Sequence, residues 1–289
     1  MYVIFTDTDT DTTPEIAAKY GYKLISMPYS IDGKSVTPYV DFEKFDSKTY
    51  YDTLRGGVVP NTGAISKEKY IEYFEPVFSE GKDILYVHFS AAMSATFEVM
   101  NKAYEELILK YPERKLYTVD TKGISALSLN IVEEIGDLYL AGKSAEEILA
   151  WAEKEVDRFT LYFFADDLKF FKHSGRVSGL AATMGTLLGV RPIIYVNEEG
   201  KMVTLCKEKG RAKAMARLLS YVEALGEEVT SHRIIIGHTD AEDIANDIAS
   251  ALREKYGEDL KLEISVVNPT IGAHCGPSGV GISFHAAHR

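Results

Sequence analysis

Val3-Ile4-Phe5-Thr6-Asp7-Thr8-Asp9-Thr10-Asp11-Thr12-Thr13-Pro14 is the stretch on which the fold turns. Three apolar residues make a short strand, alternating threonine and aspartate make a turn, and Pro14 suits a first helical turn, where a missing N–H costs nothing. The same rhythm returns in apolar runs at 84–88 and 115–119, with helical patterns over 94–111 and 144–156. Strands alternating with amphipathic helices predict a mostly parallel sheet covered on both faces. A second series begins near Thr160 with Leu161-Tyr162-Phe163-Phe164. It continues with strands at 192–196, 233–236 and 262–267, a helix over 241–256, and a hairpin turning at Glu199-Gly200. The predicted fold is α/β with two domains, 1–155 and 156–289, each a mostly parallel sheet flanked by helices.

The chain has 289 residues, 46% hydrophobic and 26% charged, with a net charge of −11. That balance argues against nucleic acid, whose recognition rests on neutralising phosphates, and against anionic lipid surfaces. Cys206 and Cys275 stand alone, in no metal-binding or redox spacing, and read as small buried apolar side chains. No basic segment precedes the first apolar residues, and no apolar run reaches the ~20 residues of a membrane span. The expected compartment is the cytoplasm.

The Thr/Asp run admits three readings. A calcium loop starting at Asp7 needs glycine sixth and glutamate twelfth, but Thr12 and Ala18 stand there. A magnesium-dependent phosphotransferase would use Asp7 and Asp9 as an Asp-x-Asp pair, with Asp166-Asp167 as metal ligands. A solvated turn capping the helix at Pro14 needs no chemistry at all. Elsewhere, Pro60-Asn61-Thr62-Gly63 is a turn before a helix that Ser66 caps. His88-Phe89-Ser90-Ala91-Ala92-Met93-Ser94 leads from a strand into a helix with Ser94 as its natural cap, and the free N–H groups of such a start attract an anion. Asp166 to Gly179 is a charged, glycine-bearing loop before a helix at 180–188. Ile271 to Gly281 holds four glycines around His274, which permit close backbone approach. It contains no nucleophile elbow, and the chain has no phosphate loop. A hydrolase using Ser94 with His274 would lack an orienting acid.

Together and in this order, these segments resemble the DegV family, bacterial fatty-acid-binding proteins that serve a fatty acid kinase. The strongest matches are Asp166-Asp167-Leu168-Lys169, His173-Ser174-Gly175-Arg176-Val177-Ser178-Gly179, Gly185-Thr186-Leu187-Leu188 and Gly272-Ala273-His274-Cys275-Gly276-Pro277-Ser278-Gly279. The chain departs from the family pattern at Gly63, Ala64 and Ile65 and at Ala91, Met93 and Ala95. The resemblance implies a long-chain fatty acid between the domains, its carboxylate on Thr62 and Ser94 near His274, with backbone support from Gly63 and Ala95. A protonated His274 would strengthen that grip. Phe163, Phe164, Leu187, Leu188 and Ile193 would line the tail tunnel. A separate ATP-binding kinase would phosphorylate the carboxylate, with Arg176 and Lys209 as contacts. The chain itself would be a monomer without cofactor or metal, not an enzyme.

Overall fold

The computed structural model describes residues 1–166, 168–178 and 189–289. Its first half holds strands β1 (Tyr2–Asp7), β2 (Lys23–Ile25), β3 (Tyr29–Ile31), β4 (Lys34–Val36), β5 (Asn61–Thr62), β6 (Asp83–His88) and β7 (Leu116–Asp120). Four of them form a wholly parallel sheet in the order β2-β1-β6-β7. β1 and β6 are buried almost end to end, as continuous apolar runs in a doubly covered sheet must be. The chain leaves β1 toward β2 on one side and later enters β6 on the other. Connections thus change direction between β1 and β6, and open α/β sheets hold ligands beyond the strand ends at such a point.

The second half contributes β8 (Phe159–Phe164), β9 (Val177–Ser178), β10 (Val190–Val196), β11 (Met202–Lys209), β12 (Ile234–His238), β13 (Leu262–Val266) and β14 (Val280–His285). These make one sheet in the order β13-β12-β14-β8-β10-β11-β9. Here the sheet is mixed rather than mostly parallel: β12–β13 and β11–β9 pair parallel, the other four neighbours antiparallel. Two features cause this. The expected hairpin turns at Gly200, whose φ is +74°, and β14, hidden in the glycine-rich segment, slots between β12 and β8.

Successive side chains on β8 point to opposite faces. Tyr162 and Phe164 pack with Ile193, Ile282 and Phe284 against helices Arg211–Leu225 and Glu242–Tyr256. Leu161 and Phe163 face the other way, into a core shared with Ile4 and Leu85 of the first sheet. Between the sheets lies helix Ala126–Leu140, buried on every side through residue 133. A helix apolar all round demands such a place. Its Leu127, Ile131, Val132 and Ile135 are fully buried, worth about 2 kcal/mol each, and Asn130 Nδ2 donates to Arg233 O and Ser283 Oγ.

The Thr/Asp turn is not solvated. Thr6, Asp7, Thr8 and Thr10 are 0% exposed, because the turn lies beneath the second half of the chain, and most of its polar groups are satisfied by buried partners. Met27 N donates to Thr8 Oγ1, and Asn268 Nδ2 to Thr8 O. Thr13 caps helix Pro14–Tyr20 through Ile16 N. A small antiparallel sheet, β4-β3-β5, and helix Ser47–Arg55 complete the first half. Tyr50 and Tyr51 hydroxyls from that helix donate to Pro269 O and Val267 O at 2.6 and 2.8 Å. Among the described residues no helix is long and apolar enough to cross a membrane. The helix expected at 180–188 lies outside the described residues.

Candidate functional site

A cavity of about 240 Å³, measured as room for the centre of a water-sized sphere, opens between the two sheets. The first sheet supplies the loops beyond its strand ends: Asp9 after β1, Phe89, Met93 and Ser94 after β6, Ile124 and Ser125 after β7. The second sheet supplies a face. On it Gly237 of β12 lies opposite Gly281 of β14, which lies opposite Phe163 of β8. The two glycines leave a trough where side chains would stand. A Cβ on Gly281 would come within 2.7 Å of Phe163 Cβ, and one on Gly237 within 3.1 Å of Ala126 Cβ.

At the mouth, Thr62 Oγ1 and His274 Nε2 share a hydrogen bond of 2.8 Å. The sequence puts them 212 residues apart; β5 delivers one and helix Pro269–Cys275 the other. That short helix is fixed at both ends. Asn268 caps it, accepting from Thr270 N and Ile271 N. Asn268 is itself gripped by Asp11 Oδ1, which accepts from its N–H and Nδ2 at 2.9 and 2.8 Å. Gly276, at φ +70°, ends the helix under the ring of Phe170, where no Cβ would fit.

Ser94, Gly63, Ala95 and Arg176 line the same cavity as Thr62 and His274. Ser94 does not cap its helix directly: the helix is Thr96–Lys110, Ala95 holds the cap position, and Ser94 Oγ accepts from Thr96 N at 3.2 Å. Arg176, expected as an outer contact, is exposed in the cavity wall, its guanidinium donating to Ser174 O at 2.5 Å. Lys209 is exposed at the end of β11, outside the wall. Burial pushes His274 down to about 4, and the charges of Arg176 and His173 push the same way. The imidazole is therefore neutral near pH 7, so the extra strength that protonation would bring is absent there, and its bond to Thr62 is set by tautomer rather than charge.

The phosphotransferase reading finds no support. Asp7 is sealed in, accepting from Tyr86 Oη, Phe89 N and Asp9 N, and burial raises its carboxyl to about 7. Asp166 is held by Arg191 and Arg211 at 2.5 and 2.7 Å, which keep it below the usual carboxylate range despite partial burial. Asp167 lies outside the described residues. For the hydrolase reading, among the described residues no carboxylate is hydrogen-bonded to His274, whose partner is Thr62.

Of the expected tail residues, Phe163 lines the cavity with its side chain on that face of the sheet; Phe164 also borders the cavity, although its side chain packs on the opposite face with Ile193. Ile193 does not; it is buried in the opposite face of the sheet, since it alternates to the helix side of β10. Leu187 and Leu188 lie outside the described residues. Cys275 is only part-buried because it faces the cavity, and burial pushes its thiol up to about 12. Cys206 is part-buried beside Tyr221 Oη at 3.8 Å. Sequence reasoning missed Asp9, Ser125, Gly237 and Thr239 as wall residues. For Gly237 a signal existed, a glycine inside an otherwise β-branched strand.

A sequence model described as "Uncharacterised protein, DegV family" matches residues 1–287. A DegV domain-containing protein of Clostridium perfringens is 31% identical over 283 residues, covering 98% of this chain and 97% of that one. The structure is similar to that of a fatty-acid-binding DegV family protein from Streptococcus agalactiae, with TM-score 0.83, 25% identity and coverage of 100% and 99%. It shares its fold with the fatty acid kinase B3 protein of Streptococcus pneumoniae, solved loaded with linoleic acid, at TM-score 0.82, 18% identity and 99% coverage of both chains.

Proposed function

The chain belongs to the DegV family, and from that premise we propose that it holds one long-chain fatty acid between its sheets and presents the carboxylate to a separate ATP-dependent kinase. The observation that carries the reading is the Thr62–His274 pair at the mouth of an apolar cavity. Its walls come from two units, 1–155 and 156–289. The carboxylate would accept from Thr62 and from Ser94, with a neutral His274 donating its Nε2–H to Thr62 Oγ1 and so aiming that hydroxyl at the carboxylate. Gly63 and Ala95 would add backbone support, and Arg176 the counter-charge. The tail would lie along the Gly237–Gly281 trough. Fourteen methylenes at ~0.8 kcal/mol each supply about 11 kcal/mol before ordering costs, so the tail dominates affinity and the head group sets orientation.

The pattern of exposure supports presentation. Gly63, Ala64 and Ala95 are exposed at the mouth while the tail walls are buried, so a bound acid would offer only its carboxylate. Lys209 and the outer face of Arg176 would meet the kinase. The missing phosphate loop agrees with a phosphoryl donor held on another chain. The test is reconstitution of the lipid-loaded protein with an ATP-dependent fatty acid kinase subunit and labelled ATP. Acyl phosphate, trapped as its hydroxamate, is expected to appear only when both proteins are present. No product from loaded protein would refute presentation while leaving binding intact.

A further inference from the structure

The cavity has a second polar station far from its mouth. Asp9 is 7% exposed and lines the cavity, and neither of its side-chain oxygens has a hydrogen-bond partner among the described residues; Oδ1 is closed off from solvent, which leaves the other oxygen to face the cavity. The hydroxyls sharing that wall are engaged: Ser125 Oγ donates to Asp11, Thr270 Oγ1 to Met27 O, and Thr239 Oγ1 accepts from Gly279 N. The flanking carboxylates are engaged too, Asp7 with Tyr86 and Asp11 with Asn268. A buried polar atom left without a partner is costly, and native structures keep few of them without a reason.

We propose that Asp9 selects fatty acids bearing a hydroxyl in mid-chain, by hydrogen-bonding that hydroxyl inside the cavity. The inference rests on the fatty-acid reading above and names the ligand class within it. Burial, with the charges of Asp7 and Asp11, raises the Asp9 carboxyl well above its usual range. That direction favours the protonated acid, which is donor and acceptor at once and matches an alcohol better than an amine or a metal ion. The register follows from the chain joining the two stations. Thr8, next to Asp9, accepts from Met27 N, and Tyr29, two residues on, pairs with Thr62; two extended residues at about 3.3 Å each, with the step from Thr8 to Asp9, put the stations on the order of 10 Å apart. That distance falls within the acyl chain, past the head group and short of the methyl end. A plain methylene chain would cover Asp9 with carbon and leave it unpaired, whereas a hydroxylated chain would pair it.

The experiment is displacement of a fluorescent fatty acid from delipidated protein by stearate and by hydroxystearates substituted at successive mid-chain carbons. At least one hydroxystearate is expected to bind about 5- to 10-fold more tightly than stearate, the size of one net neutral hydrogen bond. Asp9→Leu is expected to reverse the order, and Asp9→Asn to keep it. The wild-type ranking needs no variant to fold. Stearate equal to or tighter than every hydroxystearate would overturn the inference and leave fatty-acid binding standing. So would a preference that survives in Asp9→Leu. Wild-type protein that binds none of these acids would overturn both.

Discussion

Replacing Asp7 by asparagine separates a structural carboxyl from a catalytic one. Asp7 is 0% exposed, and burial lifts its carboxyl from 3.8 to about 7 against the opposing hydrogen bonds of Tyr86, Phe89 and Asp9. The folded chain therefore keeps this proton to a higher pH than the unfolded chain does. The stability so contributed is complete below the unfolded value near 4 and is lost as pH rises through about 7. A shift of about three units is worth ~4 kcal/mol at about 1.4 kcal/mol per unit, an upper bound for a group whose surroundings relax. Asparagine escapes that loss but aims an amide at Phe89 N–H, costing about 1–2 kcal/mol. Asp7→Asn should therefore stabilise the protein by about 2 kcal/mol at pH 8.5, be close to neutral at pH 5, and destabilise it by about 1 kcal/mol at pH 3.5, so the two pH values compared are 3.5 and 8.5. Urea midpoints at the two pH values read the crossover. A variant destabilised equally at both would mean that Asp7 is ionised in the native protein, and the account of the buried turn would fail. Asp11, raised to about 6 by burial against Ser125 and Asn268, pulls wild-type stability the same way with pH.

Thr62→Val removes the hydroxyl shared with His274 and should weaken retention of a fatty acid about 5-fold without moving the melting temperature, read by displacement titration and calorimetry side by side. Gly237→Val should fill the trough opposite Gly281 and shift preference toward shorter chains, measured by mass spectrometry of the acids that copurify. Gly276→Ala combines a left-handed φ with a clash on Phe170; a loss of about 2–3 kcal/mol in urea unfolding is expected, together with weaker ligand retention through His274.

The parallel sheet was legible because 3–5 and 84–88 are short, uninterrupted apolar runs, each followed by turn residues and a helical pattern. β14 was not, because Gly279 and Gly281 look like loop residues until Gly281 is seen opposite Phe163, where bare backbone is what lets the strands approach. The Thr/Asp turn misled for a related reason. Its composition is that of a wet loop, and what dries it is Asn268, 257 residues away. Local chemistry named Thr62, Ser94 and His274 only as a turn, a helix start and a lone histidine. The family resemblance grouped them, and the fold places all three on one cavity. The charge state of His274 depends on its depth and on Arg176, neither of which a linear pattern records. Nor could it show that Asp9 faces the cavity while Asp7 and Asp11 are tied into the core.

Native mass spectrometry of the purified protein, followed by release into organic solvent, tests fatty-acid binding most directly. The account predicts one adduct per chain, of fatty-acid mass, released as a free acid and depleted in Thr62→Val. Protein that carries no such adduct and takes up none when offered fatty acids would contradict it.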